Sequence, residues 1–410
     1  MLFRPGKSAF RFAGLPLVVM WLLLIPSVEA GTESYGFTPF LRAGHLYDSN
    51  VFRLTGPAEA EVALGDAALS DGILQLGGGL DFRVPISQQT LALDIEAFYN
   101  KYDRFDFLNH TSGLASANWH WIYGDRWDGN LKVAFAREMQ GFEESRITKK
   151  DLRDQWDFLA SGNYAISPRW QLHLAAARND YEHRLSSRQA LDRTVDRGVF
   201  EVRYLTPRKS YLGYKVVVRS AELPNQALVE TALIDNSYLE YENSLTVDWA
   251  ISAHSGFNGR MGYTKREYDS LSQRDFSGLT WQLVYQWHPQ TRYELKLSLW
   301  RDLDAYSDMV SSYVDETAGR LQGVWVMTSK VSLKGDYSRK FRSFDGDPRI
   351  SPTTLPSRQD RLVSYGLSVE YALRERLGVN LGYLFEERKS NMDEWVYDYY
   401  NLMLGITATF

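Results

Sequence analysis

The stretch Val396–Phe410 alternates strictly. Counting back from its end, Phe410, Ala408, Ile406, Leu404, Leu402 and Tyr400 are apolar or small, with Thr409, Thr407, Gly405, Met403, Asn401 and Tyr399 between them. A period of two with one apolar and one mostly polar face is the pattern of a strand lying between two solvents. The pattern recurs along the chain. Leu74, Leu76, Leu80, Phe82 and Val84 oppose Gln75, Gly77, Gly79, Asp81 and Arg83. Leu91, Leu93, Ile95, Ala97 and Tyr99 oppose Ala92, Asp94, Glu96 and Asn100. Leu279, Trp281, Leu283, Tyr285 and Trp287 oppose Thr280, Gln282 and Gln286, and Tyr365, Leu367, Val369, Tyr371 and Leu373 oppose Ser364, Gly366, Ser368 and Glu370. Such segments outlast the roughly five or six residues usual for strands of soluble sheets.

Short reversals punctuate these segments near Pro85–Gln88, Gly124–Arg126, Ser167–Arg169, Thr206–Lys209, Ser252–His254, His288–Thr291, Thr328–Lys330 and Arg374–Arg376. Long polar stretches alternate with them: Asp48–Ser70, Asp103–Thr111, Glu138–Asp154, Asn179–Arg193, Glu222–Asn236, Tyr268–Asp275, Asp302–Ser312, Arg342–Asp360 and Glu387–Glu394. Short turns at one end and long loops at the other are the asymmetry of an outer-membrane barrel. The expected fold is therefore all-β: a single antiparallel up-and-down transmembrane barrel of about 18 strands, or about 16 if the weaker Gly36–Tyr47 segment is no strand. Trp119, Trp121, Tyr123, Trp127, Tyr164, Trp170, Trp281, Tyr285, Trp287 and Tyr293 crowd the turns, as an interfacial aromatic girdle would. Leu283 should face lipid and Gln282 the interior.

The N-terminus reads differently. Arg4, Lys7 and Arg11 precede the apolar run Leu15–Ile25, and Val28-Glu29-Ala30 offers small residues around a cleavage point between Ala30 and Gly31. This is the form of a secretory signal peptide. The domain reading is thus residues 1–30 as signal peptide and 31–410 as barrel, with the bacterial outer membrane as destination. Without residues 1–30 the chain carries 43 basic and 50 acidic residues, a mild excess of negative charge without the basic stripe of a nucleic-acid binder. Cysteine is absent, which excludes disulfides and thiolate chemistry.

Candidate chemistry lies on the polar face. The alternation turns Asp81, Arg83, Asp94, Glu96, Lys132, His173, Glu201, Arg203, Lys215, Arg219, Glu240, Glu242, Arg260, Lys296, Arg320, Lys334 and Glu370 toward the lumen. Charges of both signs there can orient a polar solute or pair across strands. The loops Asp48–Ser70, Glu138–Asp154 and Arg342–Asp360 are long enough to fold inward and narrow a pore. Asp345-Gly346-Asp347-Pro348 looks like a fragment of a calcium loop, but no full ligand spacing follows, and it reads as a turn. The seven His residues are scattered, and no Gly-x-Ser-x-Gly or His-Glu-x-x-His occurs. His120, between Trp119 and Trp121, points away from that Trp pair. No catalytic, cofactor or metal site is expected.

Several motifs carry a resemblance. Tyr47-Asp48-Ser49-Asn50-Val51-Phe52-Arg53-Leu54 and Tyr102-Asp103-Arg104-Phe105-Asp106-Phe107-Leu108-Asn109 lead from strands into loops. Trp119-x-Trp121 with Gly124 and Trp127-Asp128-Gly129 marks one hairpin; Asp196-Arg197-Gly198 with Tyr204 and Arg208-x-Ser210 marks another. Together they resemble the EpsL-type outer-membrane β-barrel porins of Gram-negative exopolysaccharide operons. That resemblance implies a barrel serving exopolysaccharide export, as a pore or a secretion accessory, with exopolysaccharide and its export proteins as partners. A diffusion or uptake porin for small polar solutes, and a plugged scaffold of a secretion assembly, are the alternatives. Outer-membrane lipid and the barrel assembly machinery, reading the strand that ends in Phe410, are the remaining expected partners.

Overall fold

The computed structural model describes residues 36–410 except 146, 209, 227–234, 271, 306–310 and 347–355. The signal peptide read in residues 1–30, with its cleavage point at Ala30 and Gly31, lies outside the described residues, as do Asp347 and Pro348 of the Asp345–Pro348 turn. Eighteen antiparallel strands form one sheet that closes on itself. They are β1 (Gly36–Asp48), β2 (Asp71–Ile86), β3 (Gln89–Tyr102), β4 (His110–Tyr123), β5 (Trp127–Met139) and β6 (Leu152–Ala165). Next come β7 (Trp170–His183), β8 (Arg193–Leu205), β9 (Tyr211–Glu222), β10 (Tyr238–Ser252), β11 (Ser255–Tyr268) and β12 (Phe276–Gln290). The last six are β13 (Tyr293–Ala305), β14 (Tyr313–Val326), β15 (Val331–Asp345), β16 (Gln359–Arg374), β17 (Leu377–Ser390) and β18 (Tyr397–Thr409). Each pairs with its chain neighbours, and β1 pairs with β18 from Phe40↔Thr409 to Asp48↔Asn401. Closure leaves no open edge, which a sheet in lipid requires because unpaired backbone groups there are costly.

Side-chain chemistry makes the turns. Gly124 takes the left-handed conformation (φ +60°) that lets two strands reverse tightly. Where glycine is missing, hydroxyls do the work: Ser167 Oγ accepts from the Arg169 and Trp170 amides, and Thr328 Oγ1 from those of Lys330 and Val331, as in ST-turns. One turn differs from the sequence reading. A register shift between Trp287 and Gln290 carries β12 past His288, so the chain reverses at Thr291–Arg292 instead.

The outer face is apolar and banded. Leu41, Leu131, Val133, Leu174, Leu245, Met261, Leu321, Leu367, Leu381 and Leu404 are exposed on it. Toward the short turns lie Trp127 against Tyr164 (ring centroids 4.5 Å), Trp170 against Tyr204 (5.2 Å) and Tyr293 against Trp325 (6.0 Å). Toward the loops lie Phe135 against Trp156 (4.8 Å), Tyr365 against Phe385 (4.9 Å) and Tyr47 against Tyr400 (5.9 Å). An aliphatic band between two aromatic girdles is the exterior of a bacterial outer-membrane barrel.

The strands run further toward the loops than the polarity pattern indicates: β7 reaches His183 and β15 reaches Asp345. Past the lipid band the outward face turns charged, with Arg137 bound to Asp154 (2.6 Å) and Arg301 to Asp315 (2.7 Å), so the binary signal fades while the ladder continues. Asp48–Ser70 is also no plain loop. It holds a short helix, α1 (Pro57–Leu64), opened by Pro57 and closed by Gly65 in the left-handed conformation. No described helix is long and apolar enough to cross a membrane.

Candidate functional site

Residues directly opposite in an antiparallel ladder share a face, so the register assigns inside and outside for every strand. Asp81, Arg83, Asp94 and Glu96 fall on the lumen face of β2 and β3, and Lys132 on that of β5. His173, Glu201, Arg203, Lys215 and Arg219 follow on β7 to β9, with Glu240, Glu242 and Arg260 on β10 and β11. Lys296, Arg320, Lys334 and Glu370 line β13 to β16.

The structure brings many of these together. Glu242, fully buried, receives Arg260 (2.7 Å), Arg219 (3.2 Å) and Lys215 (3.5 Å). Glu240 receives Arg219 and Arg266 (2.6 Å). Arg260 also pairs with Asp302. Glu201 holds Arg203 (2.6 Å) and accepts from Thr246 Oγ1 (2.5 Å). One continuous wall from β8 to β13 is therefore lined by interlocked charges. Lys334 binds Glu370 (2.5 Å), and Arg320 binds Asp336 (2.6 Å). Asp81 and Asp94 stand directly opposite each other on β2 and β3. His173 and His120 make ordinary bonds to Asn163 Oδ1 (2.8 Å) and the Gly129 carbonyl (3.1 Å).

At the loop end the lumen is crossed. Phe52, Phe105 and Phe142, from the β1–β2, β3–β4 and β5–β6 loops, pack with Val51, Leu54, Ala60 and Leu108 into one buried cluster. Phe52 lies 4.6 Å from Phe142 and 4.9 Å from Phe105. Burial of each such ring stabilises by about 1.5–3 kcal/mol, so the three loops behave as one body. From it Glu144 reaches the far wall. It binds Arg388 of β17 (2.8 Å), Arg342 of β15 and Arg358 just before β16 (3.6 Å). Arg388 also donates to the Glu143 carbonyl (2.5 Å). Arg358 is held between Phe344 (3.9 Å) and Trp395 (3.6 Å) and binds Asp360 (2.5 Å).

Burial alone would raise the Glu144 carboxyl, but Arg342, Arg388 and Arg358 outweigh it and hold it down at about 2. Arg53 is a second anchor. It binds Asp48 (2.9 Å) and Glu143 (3.4 Å) and lies 3.4 Å over the Tyr399 ring. Its backbone is left-handed (φ +56°), a strained conformation that survives only where surroundings enforce it.

Neither Glu144 nor its three arginines were among the lumen candidates. Continued alternation along β15 and β17 places Arg342 and Arg388 inward, whereas nothing local marks Glu144 or Arg358. Of the three loops expected to turn inward, Asp48–Ser70 and Glu138–Asp154 do so; the third contributes Arg342 and Arg358, and residues 347–355 lie outside the described set.

No family model matches the chain, and no curated protein matches it. Among solved structures it is similar to the outer-membrane protein OpdK of Pseudomonas aeruginosa (10% identity, TM-score 0.46, 91% of this chain and 98% of that one). It is also similar to OccAB3 of Acinetobacter baumannii (9%, 0.46, 91% and 99%) and to a BenF-like porin of Pseudomonas fluorescens (10%, 0.47, 92% and 99%). Overlap at this level says nothing of what this chain carries.

Proposed function

We propose that the protein is an outer-membrane channel for small polar solutes, narrowed at its loop end by the joined β1–β2, β3–β4 and β5–β6 loops. The observation that carries this reading is the Glu144 bridge to Arg388, Arg342 and Arg358. It reaches from the loop body on one wall to β15–β17 on the other, so the loop end is not an open cylinder. The wall between β8 and β13 supports the same reading, because fixed charges of both signs offer a hydrated solute many weak, exchangeable contacts. Export of exopolysaccharide, the use implied by the EpsL resemblance, fits this geometry less well. A hydrated polymer would have to break the bridge and displace a packed apolar cluster to pass.

Single-channel recording of the refolded protein in planar bilayers tests the reading. A small, stable conductance that rises on replacing Glu144 with Gln supports a constricted channel. Silence from inserted protein, persisting in Glu144→Gln and in a chain with residues 141–150 replaced by a short Gly-Ser link, would overturn it in favour of a plugged scaffold. A conductance blocked by long polysaccharide but not by monosaccharide would return the reading to export.

A further inference from the structure

Inside the barrel, beneath the β5–β6 loop, a partly enclosed cavity of about 130 Å³ lies against the lumen face of β1 to β5. Gly44, Gly113 and Gly405 are part of its lining and contribute no side chains. An enclosed engineered cavity of about 150 Å³ accepts one benzene ring; this one is only partly enclosed, so a larger ring can seat in it with part of its rim outside. Phe98, Tyr102 and Phe142 present aromatic surface to it. Its floor is Arg42, whose guanidinium is braced by the rings of Phe40 (5.2 Å) and Phe98 (5.3 Å).

Two donors here have no acceptor. Arg42 Nε and, from the roof, Gln140 Nε2 are buried without a hydrogen-bond partner. Such groups are costly unless something accepts from them. The formal charge of the lining is negative: Arg42 and Arg53 face Asp48, Glu96, Glu138 and Glu143. An anion would satisfy the orphan donors but meet that excess of carboxylates. A simple cation would suit the carboxylates but offer the donors nothing. Hydroxyl groups do both, accepting from Arg42 and Gln140 and donating to Glu96 and Glu138, while the C–H face of a saturated ring packs on the aromatic surface.

We propose that this cavity binds one neutral, hydroxyl-rich ring of monosaccharide size. The proposal rests on the channel reading, since the cavity sits directly under the constriction where a passing solute would pause.

The test is titration calorimetry on the full chain folded in detergent, with D-glucose as probe and D-glucuronate as its anionic counterpart. Glucose is expected to bind at least about tenfold more tightly than glucuronate. Arg42→Met and Gln140→Leu, each confirmed as a folded barrel by its heat-dependent gel mobility, should each weaken glucose about tenfold, the usual worth of one hydrogen bond with a buried partner. Absence of glucose binding, glucuronate binding as tight or tighter, or unchanged glucose affinity in both folded variants would overturn the proposal. Conductance recorded in parallel separates the two ideas. A conducting barrel that ignores glucose refutes the sugar site alone, and a silent barrel that binds glucose refutes the channel alone.

Discussion

Replacing Glu144 with Gln tests the bridge most directly. The carboxyl sits at about 2 instead of its usual 4.5. At 1.36 kcal/mol per unit that corresponds to about 3 kcal/mol of preference for the charged, docked form. The side chain is 32% exposed, so solvent screening brings the expected contribution to about 1–3 kcal/mol. This is about a five- to 150-fold change in the ratio of docked to undocked loop. The sign follows from the direction of the shift. A carboxyl held down in the folded state contributes fully above about 4.5, and the contribution fades as pH falls toward 2. Wild-type conductance at constant salt should therefore be low and quiet at pH 7 and rise between pH 4.5 and 2. Glu144→Gln should already be high or noisy at pH 7 and show no further step in that window. A flat wild-type profile, or a variant indistinguishable from wild type at pH 7, would refute the bridge as the holder of the constriction.

Other expectations concern the barrel itself. Leu283→Arg, on the lipid face of β12, should cost about 2–4 kcal/mol in bilayer unfolding titrations, whereas Gln282→Arg, facing the lumen, should cost far less; equal tolerance would reverse the assigned faces. At Gly129 a Cβ would come within 2.1 Å of the Ser161 carbonyl and 2.4 Å of the Trp121 ring, so Gly129→Ala should lower stability by about 1–3 kcal/mol, read as a shifted denaturant midpoint. Phe410 is 59% exposed, so deleting it should leave refolding into detergent intact while reducing outer-membrane accumulation in cells; normal accumulation would argue against recognition of that residue by the assembly machinery.

The strand count and the alternation were legible because lipid and water impose opposite demands on neighbouring residues. Leu283 and Gln282 differ in solvent, and the sequence records it. The ends of β7 and β15 were not legible, because past the girdles both faces are wet and Arg137 or Arg301 looks like a loop residue. The helix α1 hid in a polar stretch, with only Pro57 and Gly65 to mark it. Least visible was the bridge. Glu144 meets Arg342 and Arg388 some two hundred positions away, and pairing at that distance leaves no periodic trace. Even the buried Phe52, Phe105 and Phe142 read singly as loop aromatics, since their cluster exists only once three loops converge.

Closure of β1 on β18 has a consequence for how the molecule is made. The pairs from Phe40↔Thr409 to Asp48↔Asn401 join segments at opposite ends of the described chain, the most distant contact the topology contains. The entropy lost in closing so long a segment grows only slowly with its length. The larger obstacle is that β1, made before the other described strands, keeps one edge unpaired until β18 arrives. In hydrocarbon that waiting edge would be prohibitively expensive, so β1 cannot enter the bilayer early and alone. Assembly of this chain should thus be limited by the seam, and a lesion in β1 or β18 should stall biogenesis at a late, nearly finished intermediate, whereas one in β9 should act earlier.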